Sequence, residues 1–436
     1  MQLSNLILPP VRSLRSCLWL IFAVALVLRV ACAWVSHGQP VVDVYSFWQW
    51  AQRFDAGENP YSLPRSPPER TSGPLDDFPL PVEDRPIIGG QANYPPLWVY
   101  LCWICLQLSE WTGLSFDLFI KLLVSLFDAA TAVAVGYLAR VGGANDTQAR
   151  NAAFFYAVNP ATILVASFHG QNDPVVIGLV ACASWLLLAR PFRQAPEVGM
   201  LLVGASLAIK PIALLYLPLL VLAVPEWPRR VACGILALLP VLFFWLPYLM
   251  HSPTEVIDAL RSYRGVPDFG YVGIYNSWDN LGRGSSGISF DYDLGWAYRP
   301  FCVLVLGLVW WRFRKTSLLE QLVVITLALY LIYGRLAGQY LIWIIPFAAA
   351  LRCPQLVRVA SCTALALLAF YQLHHPVILS GTSQRIIYMG IRVSQWSGIF
   401  LIAQSLLYFY WVRWIVDWLK NPPGSQRIPS EEPIGP

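Results

Sequence analysis

The chain has 436 residues, 57% hydrophobic and 13% charged, with a mean hydropathy of +0.54. Soluble domains carry roughly a quarter charged residues, so this composition describes a polytopic membrane protein. Long apolar runs without two-residue alternation favour helices over a barrel. A net charge of +5, most of it in short turns, argues against nucleic acid as a partner.

Arg12 and Arg15 precede a first span expected over 16–36, which puts the N-terminus in the cytosol and Asp43 outside. Asp43 heads an aromatic, amphipathic helix. Asp43, Phe47, Trp50, Ala51 and Phe54 share one face of it. The first outer loop, 37–95, also holds Asn59-Pro60-Tyr61 and ends in Tyr94-Pro95-Pro96-Leu97. The apolar stretch 96–108 is short for a span, which needs ~20 residues. Read as a juxtamembrane or re-entrant helix, it leaves Arg140 and Arg150 on the cytosolic side.

Spans are then expected over 115–138, 151–168 and 174–188, with the polar turn His169-Gly-Gln-Asn-Asp173 outside. The run 199–224 has basic residues at both ends and Lys210-Pro211 in its middle, which predicts a hairpin with Lys210 near its turn. A span over 231–250 leads to the second large outer loop. The resulting organisation is a cytosolic N-terminus (1–15), a membrane module (16–250), a second outer loop (251–297), C-terminal membrane helices (298–416) and a cytosolic disordered tail (417–436). The fold expected is an all-α integral membrane bundle of about 11–13 transmembrane helices with outer-face juxtamembrane helices. The sequence shows no fixed-period or inverted repeat.

The groups able to carry chemistry gather on the outer side. A carboxylate just outside the membrane suits a general base, although Asp43 also suits a helix N-cap. Gly, Asn, Asp and Pro make a turn of 169–174 by themselves, whereas His169 and Gln171 are not required for one. Lys210 lies within an apolar run, a costly position that marks a functional site unless the amine snorkels to water. Arg264 and Arg283 of the second loop, with Arg335 farther on, are candidate phosphate ligands, and Tyr271, Tyr275 and Trp278 of that loop offer flat faces to a sugar ring or an isoprenoid chain. Arg29, inside the first span, reads as a snorkelling or pairing residue. Cys102-Trp-Ile-Cys105 lies in an apolar helix with no second pair, a weak metal or redox signal. Asn145-Asp-Thr147 matches a glycosylation sequon but falls on the cytosolic side. No phosphate-loop, dinucleotide or zinc motif is present.

These elements together resemble the GT-C class of membrane glycosyltransferases. The matching residues are Asp43, Asn59-Pro60-Tyr61, Tyr94-Pro95-Pro96-Leu97, His169 to Asp173, Lys210-Pro211 and Gln339-Tyr340-Leu-Ile-Trp-Ile-Ile-Pro346. The resemblance implies a polyprenyl-phosphate sugar donor, a hydroxyl acceptor (glycan, lipid or protein) and inverting transfer of one hexose, mannose first among them, on the outer or lumenal face. It casts Asp43 as the base. His169, Gln171, Asp173, Tyr94 and Tyr45 become donor- or acceptor-binding residues, and Lys210, Arg264, Arg283 and Arg335 hold the lipid phosphate. Some families of the class carry paired acids in the first loop, or an Arg-x-x-x-Asp signature. The single Asp43 here points away from the protein O-mannosyltransferases and the metal-dependent oligosaccharyltransferases, so no metal and no cofactor are expected. A bacterial plasma membrane is the expected location. A flippase or a glycan ligase acting on lipid-linked saccharides is the alternative.

Overall fold

The computed structural model describes residues 13–38, 42–63, 91–262, 270–271, 274–275, 291–334, 336–374 and 393–420. Every regular element among them is a helix. The chain order is α1 (Leu14–Val35), α2 (Val42–Asp55), α3 (Pro96–Thr112), α4 (Phe116–Val141), α5 (Asp146–Ala157) and α6 (Pro160–Ile163), which continues as a π-turn, Leu164–His169. There follow α7 (Asp173–Ala189), α8 (Ala195–Leu207), a 3-10 segment (Pro211–Leu215), α9 (Leu217–Leu222), α10 (Trp227–His251) and α11 (Pro253–Ser262). The last are α12 (Asp291–Phe313), α13 (Leu318–Ile332), a 3-10 segment (Gly338–Ile344) running into α14 (Ile345–Ala350), α15 (Pro354–His374) and α16 (Val393–Lys420).

Helix α4 is the hub. It packs against α1, α3, α5, α7 and α14, and it is buried along most of its length. By contrast, α1 exposes Trp19, Leu20 and Val27, and α10 exposes Leu242, Phe243, Leu246 and Met250. Large apolar side chains turned outward along such helices are what a lipid-facing surface requires, and the protein is a membrane protein. Among the described residues α1, α4 and α10 are long and apolar enough to span by themselves, and α5 with α6 and its π-turn reaches that length only as a pair, bent by 45°. Other apolar helices, α7, α8 and α13 among them, are shorter because polar or proline-containing breaks interrupt the run.

Two sequence features receive local explanations here. Asn145 and Gln148 form a reciprocal capping box that starts α5, so the sequon residues serve as a helix cap. Arg29 is fully buried and meets Asp128 of α4 at 2.6 Å. It also donates to the Ala157 carbonyl at 2.7 Å and to Thr162 Oγ1 at 3.2 Å, while the Tyr156 hydroxyl donates to Asp128 at 2.5 Å. This network ties α1, α4, α5 and α6 together, so Arg29 is a pairing residue and does not snorkel.

Helix α3 runs beside α2 in the same direction. Phe47 meets Trp98 near the start of both, and Asp55 accepts from Trp103 and Gln107 near the end. Helix α3 has 17 residues and packs against the amphipathic α2. Cys102 and Cys105 are buried free thiols in α3. Two boundaries differ from expectation. Helix α12 begins at Asp291, inside the expected second loop, and α16 runs to Lys420, inside the expected tail.

Candidate active site

Four chain breaks come together around the starts of α4 and α7. The first is the link from α1 to α2. Lys121 of α4 donates to the Ser36 carbonyl at 2.6 Å and to Asp117 at 3.0 Å, and the Gly38 N–H donates to Asp117 at 3.0 Å. Lys121 and Asp117 are 0% and 3% exposed. The pair therefore anchors the chain just before Asp43. Asp43 lies in the first turn of α2, half-buried, where the helix dipole favours a carboxylate. Phe47, Trp50 and Ala51, on the face that the sequence assigned to Asp43, are buried.

The second break is the turn after α6. A π-turn is a costly irregularity that recurs at functional sites. Here it ends at Gly170, whose φ of +72° is reached cheaply only without a Cβ. A Cβ at Gly170 would stand 3.0 Å from Val44 Cγ2 and 3.3 Å from Lys121 Cγ. That close approach lets the Gln171 side-chain amide donate to Asp43 Oδ2. His169 is buried beside Lys121.

The third break is Lys210. The proline after it forces an extended backbone, φ −155° and ψ 133°, and ends α8. The Lys210 ammonium then lies 2.9 Å from both oxygens of Asp173, the first residue of α7. It also lies 5.2 Å from the Tyr94 ring centroid and 5.0 Å from that of Tyr340. Nearby, the Leu97 N–H donates to the Ala208 carbonyl at 3.2 Å, joining α3 to the end of α8.

The fourth break is the 3-10 segment Gly338–Ile344, long for its kind. It brings Tyr340 to Lys210 and lets Trp343 Nε1 donate to Asp173 at 2.7 Å. The Tyr330 hydroxyl donates to the Tyr340 carbonyl at 2.6 Å and holds this segment in place. Tyr94 is held in turn by Tyr61, whose hydroxyl donates to its carbonyl at 2.8 Å. Burial pushes the Tyr61 phenol well above its usual value, so it stays a neutral donor.

The structure thus brings Asp43, Gln171, His169, Asp173, Lys210 and Tyr94 into one contiguous cluster. Tyr45 is half-buried on α2 and stacks on Trp48, with centroids 5.6 Å apart. Arg264, Arg283 and Arg335 lie outside the described residues. The sequence reading did not single out Asp117 or Lys121, and it took in Trp343 only as part of the motif Gln339 to Pro346. The first two carried a usable signal, since two opposite charges four residues apart in an apolar helix form a pair on one face. Nothing local to Trp343 tied it to Asp173, because a tryptophan in an apolar run looks like packing.

Residues 23–226 match the family model described as alpha-(1->6)-mannopyranosyltransferase, N-terminal domain, which bears out the resemblance to membrane mannosyltransferases. The matched region holds Asp43, Tyr94, Asp117, Lys121, His169 to Asp173 and Lys210. No curated protein matches the chain. Nine solved chains match. One is ArnT from Cupriavidus metallidurans, whose structure was solved with undecaprenyl phosphate. It is 14% identical, with a TM-score of 0.46, over 92% of this chain and 77% of that one.

Proposed function

We propose that this chain, a glycosyltransferase with a mannosyltransferase-type N-terminal domain, moves one hexose from a polyprenyl-phosphate carrier to a hydroxyl acceptor on the outer face of a bacterial plasma membrane. The observation that supports this most is that the matched region contains Asp43 together with the buried polar cluster packed against it. A carboxylate within hydrogen-bond reach of an acceptor hydroxyl takes its proton as the oxygen attacks the anomeric carbon. The bond from that carbon to the phosphate oxygen breaks, and the lipid phosphate leaves with the electron pair. One displacement at the anomeric carbon inverts it.

In this reading Gln171 aims Asp43 by donating to its Oδ2. Lys210 is held by Asp173 and keeps N–H capacity beyond that pair for the leaving phosphate, an electrostatic contact that matters most as charge develops. Arg264, Arg283 and Arg335 are the further phosphate ligands of this proposal. No residue role in it calls for a metal ion, and the family resemblance implies none.

The test is transfer from radiolabelled polyprenyl-phosphate mannose by purified protein, wild type and Asp43→Asn. The expected result is transfer by wild type and a fall of about 10²–10⁴-fold in the variant. A folded Asp43→Asn protein that transfers at the wild-type rate removes the base from Asp43.

A further inference from the structure

Asn172 stands between Gln171, which holds Asp43, and Asp173, which holds Lys210. It is 0% exposed, and it occupies the N-cap position of α7. Asparagine at that position ordinarily caps the helix with its side-chain oxygen. Here the side chain makes no cap hydrogen bond. Among the described residues neither its Oδ1 nor its Nδ2 has a hydrogen-bond partner, and Gln171 Oε1 has none either. Buried polar atoms are ordinarily paired, and an unpaired donor and acceptor on one side chain are open to a group that supplies both. A sugar hydroxyl does so, since it donates one hydrogen bond and accepts others.

We infer that Asn172, with Gln171 Oε1 beside it, recognises a pyranose hydroxyl of the donor or acceptor sugar at the Asp43 centre. This rests on the glycosyltransferase reading above. The side chains of the turn divide the work by position. Gln171 Nε2 orients the carboxylate, Asp173 fixes the ammonium, and the Asn172 amide reads the sugar between them. The idle N-cap explains why an asparagine is buried here when a helix start alone needs only a cap: the amide is spent on substrate. Being neutral, it discriminates by the presence and placement of a hydroxyl and not by charge.

The experiment measures kcat/KM of wild type and Asn172→Leu with polyprenyl-phosphate mannose and octyl α-mannoside, then with each monodeoxy version of donor and acceptor. Wild type is expected to lose about 10–100-fold with one deoxy substrate. Asn172→Leu is expected to lose a similar factor with the parent pair and almost none further with that one substrate. The position of the hydroxyl, on donor or acceptor, identifies which sugar is read. Asn172→Ser, which keeps a hydroxyl able to donate and accept, is expected to retain part of the discrimination, and it serves if the leucine variant does not fold. Equal loss on every member of the series upon substitution, or an unchanged parent rate, overturns the inference. So does a wild-type enzyme indifferent to every deoxy substrate. Failure of wild type to use any polyprenyl-phosphate sugar sinks the glycosyltransferase reading instead.

Discussion

The ion pair of Lys210 and Asp173 gives the most quantitative test. Both side chains are buried, 6% and 0% exposed, at 2.9 Å, and Asp173 accepts a third hydrogen bond from Trp343. Removing one partner of such a pair leaves a buried charge and costs about 3–5 kcal/mol. Asp173→Asn keeps one acceptor oxygen, and Lys210→Met leaves Asp173 with Trp343 and the α7 N-terminus, so each single change falls near about 3 kcal/mol. The double variant has no orphaned charge. It is expected to lose much less than the sum, a coupling of about 2–3 kcal/mol. The assay is thermal melting of all four proteins in one detergent at one pH. The double variant is expected to melt well above the temperature that two additive losses would give. Strictly additive losses refute the claim that the two charges hold each other.

Other outcomes follow from the same contacts. Arg29→Leu strands Asp128 in the membrane core and is expected to cost about 3–5 kcal/mol, with Asp128→Leu recovering most of it in a melting series. Gly170→Ala forces a left-handed residue and pushes a Cβ at Val44, so a loss of about 1–2 kcal/mol is expected together with a clear fall in transfer rate; wild-type transfer counts against the close approach. Lys121→Met releases the Ser36 carbonyl and is expected to lower kcat more than it changes KM for the donor, since it acts on the placement of Asp43. Tyr61→Phe removes one hydrogen bond to the Tyr94 carbonyl and is expected to cost about 1 kcal/mol in melting.

The sequence by itself determined the class of fold, because apolar runs of helical length have few alternatives in a bilayer. It also located the breaks. Gly170, Pro211 and the polar turn from His169 to Asp173 are local punctuation, and each one interrupts a helix where the residue types say it should. Asp43 was legible as a carboxylate heading an amphipathic helix, and Lys210 as a charge in a costly place. What those groups touch was decided only by tertiary structure. Asp43 and Gln171 are 128 residues apart, and Trp343 reaches Asp173 across 170. Arg29 reads equally as a snorkelling or a pairing residue until Asp128 is brought beside it by the packing of α1 on α4. Hydropathy and periodicity act over one or two turns, so they fix which side chains leave a helix on which face. Pairing across the bundle depends on where each helix bends and which neighbour it meets, and that follows from the summed packing of all the helices.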